Sequence, residues 1–191
     1  MKLKHISSIY SGYITRKRIE ACADGSHFLV QAKDVDSATL SCDNQNLIRF
    51  HPALSRTDRL LKNHDLLFMA RGAHHFTIEL KRPPRPALAA ACFFIIRVNS
   101  GDIRPGYLGW YLNQAPVAHY LFQNSGRNVH MPVIRRSVLE NIDVPLPGMK
   151  IQNGIAELNA LASQEANLLQ TMMKKRLELI SSVCLKAIGN P

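Results

Sequence analysis

From about Met149 to Ile188 only Gly154 interrupts a helical pattern, and this run constrains the fold more than any other stretch of the chain. At a rise of about 1.5 Å per residue, roughly 40 residues make a rod of about 60 Å, longer than a domain of this size can cover. Along it Leu158, Leu161, Leu168, Leu169, Met172, Met173, Leu177, Ile180, Val183, Cys184 and Ile188 keep an apolar stripe. Within the stripe Leu169, Met173, Leu177, Ile180, Cys184 and Ala187 alternate at spacings of four and three, the pattern of a coiled-coil seam. Such a stripe costs solubility unless something covers it. The rod either folds back on its own domain or meets a partner helix, and its reach favours the partner.

Upstream the texture changes. Before Pro145-Leu146-Pro147-Gly148 come short apolar runs separated by turns, which places a domain at residues 1–147 and the helical part at 148–191. The first part reads as α/β in the α+β sense, a mixed-sheet domain followed by one long C-terminal helix. Segments 27–31, 65–69, 76–80 and 92–98 have the length and the β-branched or aromatic content of strands. Pro83, Pro84 and Pro86 break the ladder between the last two. Ala87 to Ile96 is the most apolar stretch, about half of what a bilayer span needs, and reads as a buried strand. Pro105 and Pro116 stand where helices begin, and Tyr107, Trp110 and Tyr111 are expected to pack onto the sheet. Ser125-Gly126-Arg127-Asn128 reads as a turn, 135–139 as a short helix and Ile142-Asp143-Val144 as a strand.

Charge narrows the partner. Lys and Arg number 24 against 14 Asp and Glu, a formal charge of +10. Residues 150–191 carry five basic and three acidic groups, so +8 of the surplus belongs to residues 1–149. That is the footprint of a protein that meets a polyanion, carried by a head on a nearly neutral stalk. Cys22, Cys42, Cys92 and Cys184 show no CxxC or CxH pairing, which argues for reduced thiols and against a disulfide framework or a structural zinc site. With no apolar leader after Met1 and no spanning segment, a soluble cytoplasmic protein without membrane contact is expected.

Enzyme signatures are sparse. The chain has no GxGxxG, Walker A or GxSxG motif and no Asn/Asp-Pro-Pro-aromatic pocket. One pattern fits catalysis: Asp65, then Glu79-Leu80-Lys81, has the D…ExK order of Mg²⁺-dependent nucleases, in which two carboxylates hold the metal and a lysine polarises water. Its bland counterpart makes Asp65 a turn residue and Lys81 part of a basic loop. His74-His75 suggests a metal site only at first sight, because neighbours on a strand point to opposite faces.

Features suited to nucleic acid are more numerous. Tyr13 precedes Arg16, Lys17 and Arg18; Arg71-Gly72-Ala73-His74-His75 is a polar turn; Lys81, Arg82 and Arg85 flank stiff prolines; Arg127 and Asn128 sit on a turn. Arg16, Lys17, Arg18, Lys81, Arg82 and Arg85 suit phosphates, while Arg71, His74, Arg127 and Asn128 suit base edges. Tyr13 and His75 complete the candidate surface.

The order of motifs resembles a specificity (S) subunit of type I restriction-modification systems, specifically one half of such a subunit. Leu3-Lys4-His5-Ile6 to Ser11-Gly12-Tyr13 is similar to the start of that family's target recognition domain. Val30-Gln31-Ala32-Lys33-Asp34-Val35 resembles its "IQ.KDI" strand, and 61–68 with Ala70-Arg71-Gly72 resembles "L..GDLLF.ARG". Tyr107-Leu108-Gly109-Trp110-Tyr111-Leu112-Asn113 is similar to "YL.WYLN". Asn141 to Pro147, with Gln152 and Ile155-Ala156, resembles "I.IPLPPLEEQ..IA" before the long spacer helix, with Gly148 where a second proline is common.

The resemblance implies a DNA-binding subunit without catalysis of its own. Its implied partners are double-stranded DNA, a modification (methyltransferase) subunit and a restriction subunit. S-adenosylmethionine, ATP and Mg²⁺ would enter only through those partner subunits, and this chain would hold no cofactor or metal. Full S subunits carry two recognition domains separated by two antiparallel helices. One head and one helix therefore imply an antiparallel homodimer in which each head reads a half-site. In this family Asp65 is a fold position rather than a metal ligand.

Overall fold

The computed structural model describes residues 1–15, 18–53, 59–72, 74–124 and 133–189. In chain order the elements are α1 (Leu3–Ile6), β1 (Ser7–Ser11), β2 (His27–Val30), β3 (Val35–Asp36), β4 (Ser41–Cys42), β5 (Ile48–Phe50) and β6 (Leu66–Met69). There follow β7 (Thr77–Glu79), β8 (Ala87–Ala89), β9 (Phe93–Val98), α2 (Pro105–Leu112), α3 (Ala115–Asn124), α4 (Arg136–Glu140) and α5 (Met149–Ala187).

Two nearly all-apolar strands, Leu-Leu-Phe-Met of β6 and Phe-Phe-Ile-Ile-Arg-Val of β9, lie at the centre of an antiparallel sheet in the order β1-β9-β6-β7. A strand of this kind is stable only where both faces are covered. Leu66, Phe68 and Ile96 pack beneath Tyr107, Leu108, Leu112, Val117 and Leu121 of the helical layer and Ile103 of the loop before it. Leu67, Met69 and Ile95 point the other way, onto Val30, Ala87 and Ala89. The last three belong to a second, mixed sheet in the order β5-β2-β8, in which β2 runs parallel to β8 and antiparallel to β5.

The apolar stretch Ala87 to Ile96 is therefore not one strand. It divides into β8 and β9, which belong to different sheets. The small side chains of β8 allow the second sheet to lie close over the first. Ile142-Asp143-Val144 also departs from expectation. It makes one isolated bridge, Lys2 with Asp143, flanked by Leu3 N–H to Ile142 O at 2.9 Å and Val144 N–H to Met1 O at 2.8 Å. The expected turn at 125–128 lies outside the described residues.

Helix α2 is a strut. Tyr107 is buried, and Trp110 and Tyr111 pack against the same cluster. The Tyr107 hydroxyl donates to Pro145 O and the Tyr111 hydroxyl to Asp143 O, both at 2.9 Å, which fastens the segment leading to α5. Burial pushes both phenols up, so they stay protonated donors. At the end of the strut Asn113 plugs a sheet edge. Its Oδ1 accepts the Thr77 N–H at 2.7 Å and its Nδ2 donates to Thr77 O at 2.8 Å, so the amide imitates a further strand beside β7.

Helix α5 spans 39 residues, and its single buried side chain is Gln152. Gln152 Nε2 donates to Asp102 O at 2.9 Å and to Pro147 O at 2.8 Å, while its Oε1 accepts the Arg104 N–H at 3.0 Å. One amide thus uses its donors and its acceptor to join head and helix. Beside it Gly106 of α2 faces Ala156, whose Cβ would stand 3.1 Å from any Cβ placed at the glycine. Further along, Asn159, Ser163, Asn167, Gln170 and Lys174 look toward the 39–44 loop and the β3–β4 hairpin. Asp36 of that hairpin is held low chiefly by the Ala38 N–H, with the Gln170 amide adding to it. Among the described residues no helix is long and apolar enough to cross a membrane.

Candidate nucleic-acid interface

Site residues expected from sequence fall into distinct places. Arg18 is exposed and precedes Ile19, which packs with Leu60, Tyr13 and Ile48 around Leu29, Phe50 and Leu88 of the second sheet. Lys62, Asn63, Arg85 and Pro86 line a groove alongside Leu60 and Leu61. These cations therefore surround the second sheet. Lys81 turns instead into a cleft of about 350 Å³ between head and α5, with Glu79, Trp110, Asn113 and Asn159. Arg82 is exposed in a left-handed backbone conformation, φ 56°, at the start of the proline loop. Buried Pro83 pins that loop.

Arg71 and His74 are exposed at the other end of the β6–β7 hairpin, where Arg71 bridges Val133. The cationic candidates thus occupy both ends of the hairpin rather than one patch. Arg16, Lys17, Arg127 and Asn128 lie outside the described residues.

Two candidates have structural jobs that the sequence did not reveal. Tyr13 packs edge-on against Phe50 at 5.3 Å, and its hydroxyl accepts the Ala53 N–H at 3.1 Å. The half-buried His75 ring lies parallel to Phe68 at 6.1 Å and donates from Nδ1 to Met69 O at 2.9 Å. Neither ring stands free to stack on a base. Sequence reasoning also missed Arg49, whose guanidinium sits 5.4 Å over Phe28 on the same sheet.

The D…ExK pattern does not assemble a metal site. Leu66 pairs with Glu79, so Asp65 and Glu79 project from opposite faces of the sheet. Asp65 is buried, accepts from Arg97 Nε at 2.8 Å and Nη2 at 2.7 Å, and takes the Lys62 N–H at 2.8 Å. Glu79 accepts from His64 Nδ1 at 2.7 Å. Among the described residues Lys2, Arg97 and Arg136 pair with carboxylates, whereas Arg18, Lys62, Arg71, Lys81, Arg82 and Arg85 do not. The Asp65–Arg97 pair is an internal brace, the Lys2–Asp143 and Arg136–Glu140 pairs lie at the surface, and the exposed cations keep their field.

The seam on α5 is uncovered. Leu169, Met173, Leu177 and Ile180 are 54, 67, 66 and 53% exposed, and Cys184 is exposed too. At 3.6 residues per turn this seam lies roughly a quarter turn from the polar face that looks toward the hairpin. The head therefore occupies one side of the helix and leaves the seam clear.

The fold of this head, with its two larger sheets and the β3–β4 hairpin on a long helix, is similar to that of solved specificity subunits of type I restriction-modification systems. The HsdS subunit from Thermoanaerobacter tengcongensis matches with a TM-score of 0.57 at 16% identity, over 100% of this chain and 45% of that one. The type I S subunit from M. genitalium matches at 0.52 and 11% identity, over 95% and 40%. A structure concerned with complex assembly and conformational transition of the type I system matches at 0.60 and 16%, over 100% and 45%. The chain thus spans less than half the length of each. No family model and no curated protein matches the sequence.

Proposed function

We propose that this chain is a DNA-reading specificity component of a type I restriction-modification system, with no catalytic centre of its own. One observation carries the reading: the likeness to S subunits runs over head and helix together, not over a common domain alone. Fold by itself does not dictate function. The exposed cations around the second sheet and the proline loop supply the chemistry, since phosphate contact needs point charges and forked donors.

In this reading Arg18, Lys62, Arg82 and Arg85 hold the backbone of duplex DNA in the cytoplasm, and Arg71 and His74 lie nearer the bases. Arg16, Lys17, Arg127 and Asn128 remain part of the proposed surface. The head reads a half-site. The α5 seam of Leu169, Met173, Leu177, Ile180 and Cys184 pairs with a second copy as an antiparallel coiled coil. The resulting pair holds a methyltransferase subunit and a restriction subunit, which bring S-adenosylmethionine, ATP and Mg²⁺.

Fluorescence anisotropy with a duplex library, followed by selection and sequencing, tests this. Affinity should fall with salt at a log–log slope of about −0.9 per neutralised phosphate. The selected sequences should be split and two-fold symmetric. Changing Arg18, Arg82 and Arg85 together to Gln should flatten the slope by roughly that amount for each phosphate these side chains hold. A slope near zero, or affinity unchanged in that variant, would leave the chain an assembly factor. Mg²⁺-dependent cleavage by the purified chain, abolished in Glu79→Ala, would make it a nuclease.

A further inference from the structure

We propose that Cys22, Asp24 and His51 form a binding site for a borderline divalent metal ion, zinc foremost, at the end of the second sheet. One donor atom from each residue lies within 4.8 Å of the other two, and His51 Nε2 stands 3.8 Å from Asp24 Oδ2. Tetrahedral zinc with bonds of about 2.0–2.3 Å sets neighbouring donors roughly 3.3–3.8 Å apart, so small side-chain rotations complete the geometry. Among the described residues no other His, Cys, Asp or Glu trio converges in this way. A thiolate, an imidazole and a carboxylate make a set that suits zinc rather than magnesium or calcium, which prefer oxygen alone.

The local backbone holds these donors in place. Cys22 N–H donates to Arg49 O at 2.9 Å, and Gly25 N–H closes the turn on Cys22 O at 3.1 Å. A Cβ at Gly25 would stand 2.2 Å from Phe50 N, so only glycine lets the turn press on β5 immediately before His51. The ring of His51 is oriented as well. Its Nδ1 meets Ser26 Oγ at 3.3 Å, a hydroxyl that also meets His27 Nδ1 at 2.9 Å, which leaves Nε2 on the side of Asp24 and the ion. The thiol has only a long contact of 3.9 Å to Arg49 O, a weak alternative to a metal.

Three protein donors leave a fourth position to water. Binding would release the Cys22 proton to solvent as the sulfur becomes a ligand. The bound ion would clip the turn after Arg18 to the end of β5, beside the point where Phe28 N–H donates to Pro86 O at 2.9 Å. It would therefore brace the segment carrying Arg18 against the sheet that also anchors the proline loop. The coordination is independent of what the head reads.

The test uses the full chain, stripped with EDTA and titrated with zinc under equilibrium dialysis. Timed iodoacetamide labelling is read residue by residue by mass spectrometry. One zinc per chain should bind and protect Cys22, while the exposed Cys184 labels at an unchanged rate. Burial, with Asp34 and Asp43 nearby, pushes Cys42 up to about 11, and burial raises Cys92, so these thiols report a background. Cys22→Ser, His51→Ala and Asp24→Ala should each weaken binding at least tenfold. Ser26→Ala should cost about tenfold through the orientation of His51. Asp24 is exposed, so Asp24→Ala keeps the fold, which circular dichroism checks. Equal zinc retention in wild type and Asp24→Ala, or Cys22 labelling that zinc does not slow, overturns the site.

Discussion

The head and the outer half of α5 use apolar residues in opposite ways. In the head Leu66, Leu67, Phe68 and Ile95 are completely covered, and even the buried charge of Asp65 is neutralised by Arg97. From Thr171 onward every described residue of the chain is exposed, although Met172, Met173, Leu177, Ile180 and Val183 are as oily as the core. Helix propensity and continuous backbone hydrogen bonding suffice to draw the outer helix, but not to hide its seam. The head is complete as a folded object. The rod is complete as secondary structure and unfinished as a packing surface.

Substitutions can break that contrast. Asp65→Ala should have the largest effect. It takes the carboxylate from the Arg97 guanidinium, which keeps Leu60 O and the Tyr10 ring, and should cost about 3 kcal/mol, measured by urea unfolding through the fluorescence of the one tryptophan, Trp110. A change below about 1 kcal/mol would mean the pair is ornamental. Leu177→Asp puts a charge on the outer helix instead. Head stability should stay within about 0.5 kcal/mol. Dimer affinity, however, should fall more than about a hundredfold, on the order of 3 kcal/mol. Light scattering at tens of micromolar would show this, and a wild type already monomeric there would rule the seam out as a dimer interface.

Gln152→Ala tests the junction. Three backbone groups, Asp102 O, Pro147 O and the Arg104 N–H, lose their partner, which should cost about 2 kcal/mol and loosen the start of α5 without unfolding β6 or β9. Hydrogen exchange localised to the first turns of α5 would show it. Gly154→Ala is the smallest and has the opposite sign. Nothing stands within 4 Å of the added methyl, so the helix should gain about 0.5–1 kcal/mol, read as a modest rise in Tm.

Sequence patterning carried the fold unevenly. The long helix was legible because helix formers run on from Met149 to Ala187, and β6 and β9 because doubly buried strands are apolar at nearly every position. Strand β1, Ser-Ser-Ile-Tyr-Ser, gave no such signal. It is a strand because β9 pairs with it about 90 residues away, and that pairing is tertiary information. The three-residue β5 and the two-residue β3 and β4 escaped for the same reason.

The candidate site was legible as a set of cations but not as an arrangement. No spacing rule reveals that Arg97 takes Asp65 out of reach of Glu79, that Tyr13 is consumed by Phe50, or that Lys81 and Arg85 leave one loop for different surfaces. Gln152 is the converse case. It stood out only within a resemblance, and its three hydrogen bonds supply the physical reason for a glutamine there.

Those three bonds have a mechanical corollary. Because the Gln152 amide, together with Arg104 Nε on Asn153 Oδ1 and Gly106 against Ala156, holds helix and globule in one register, their mutual angle is set while the monomer folds. In the proposed dimer a second molecule docking on the rod would meet a lever already aligned, and association would not also have to freeze a swinging joint.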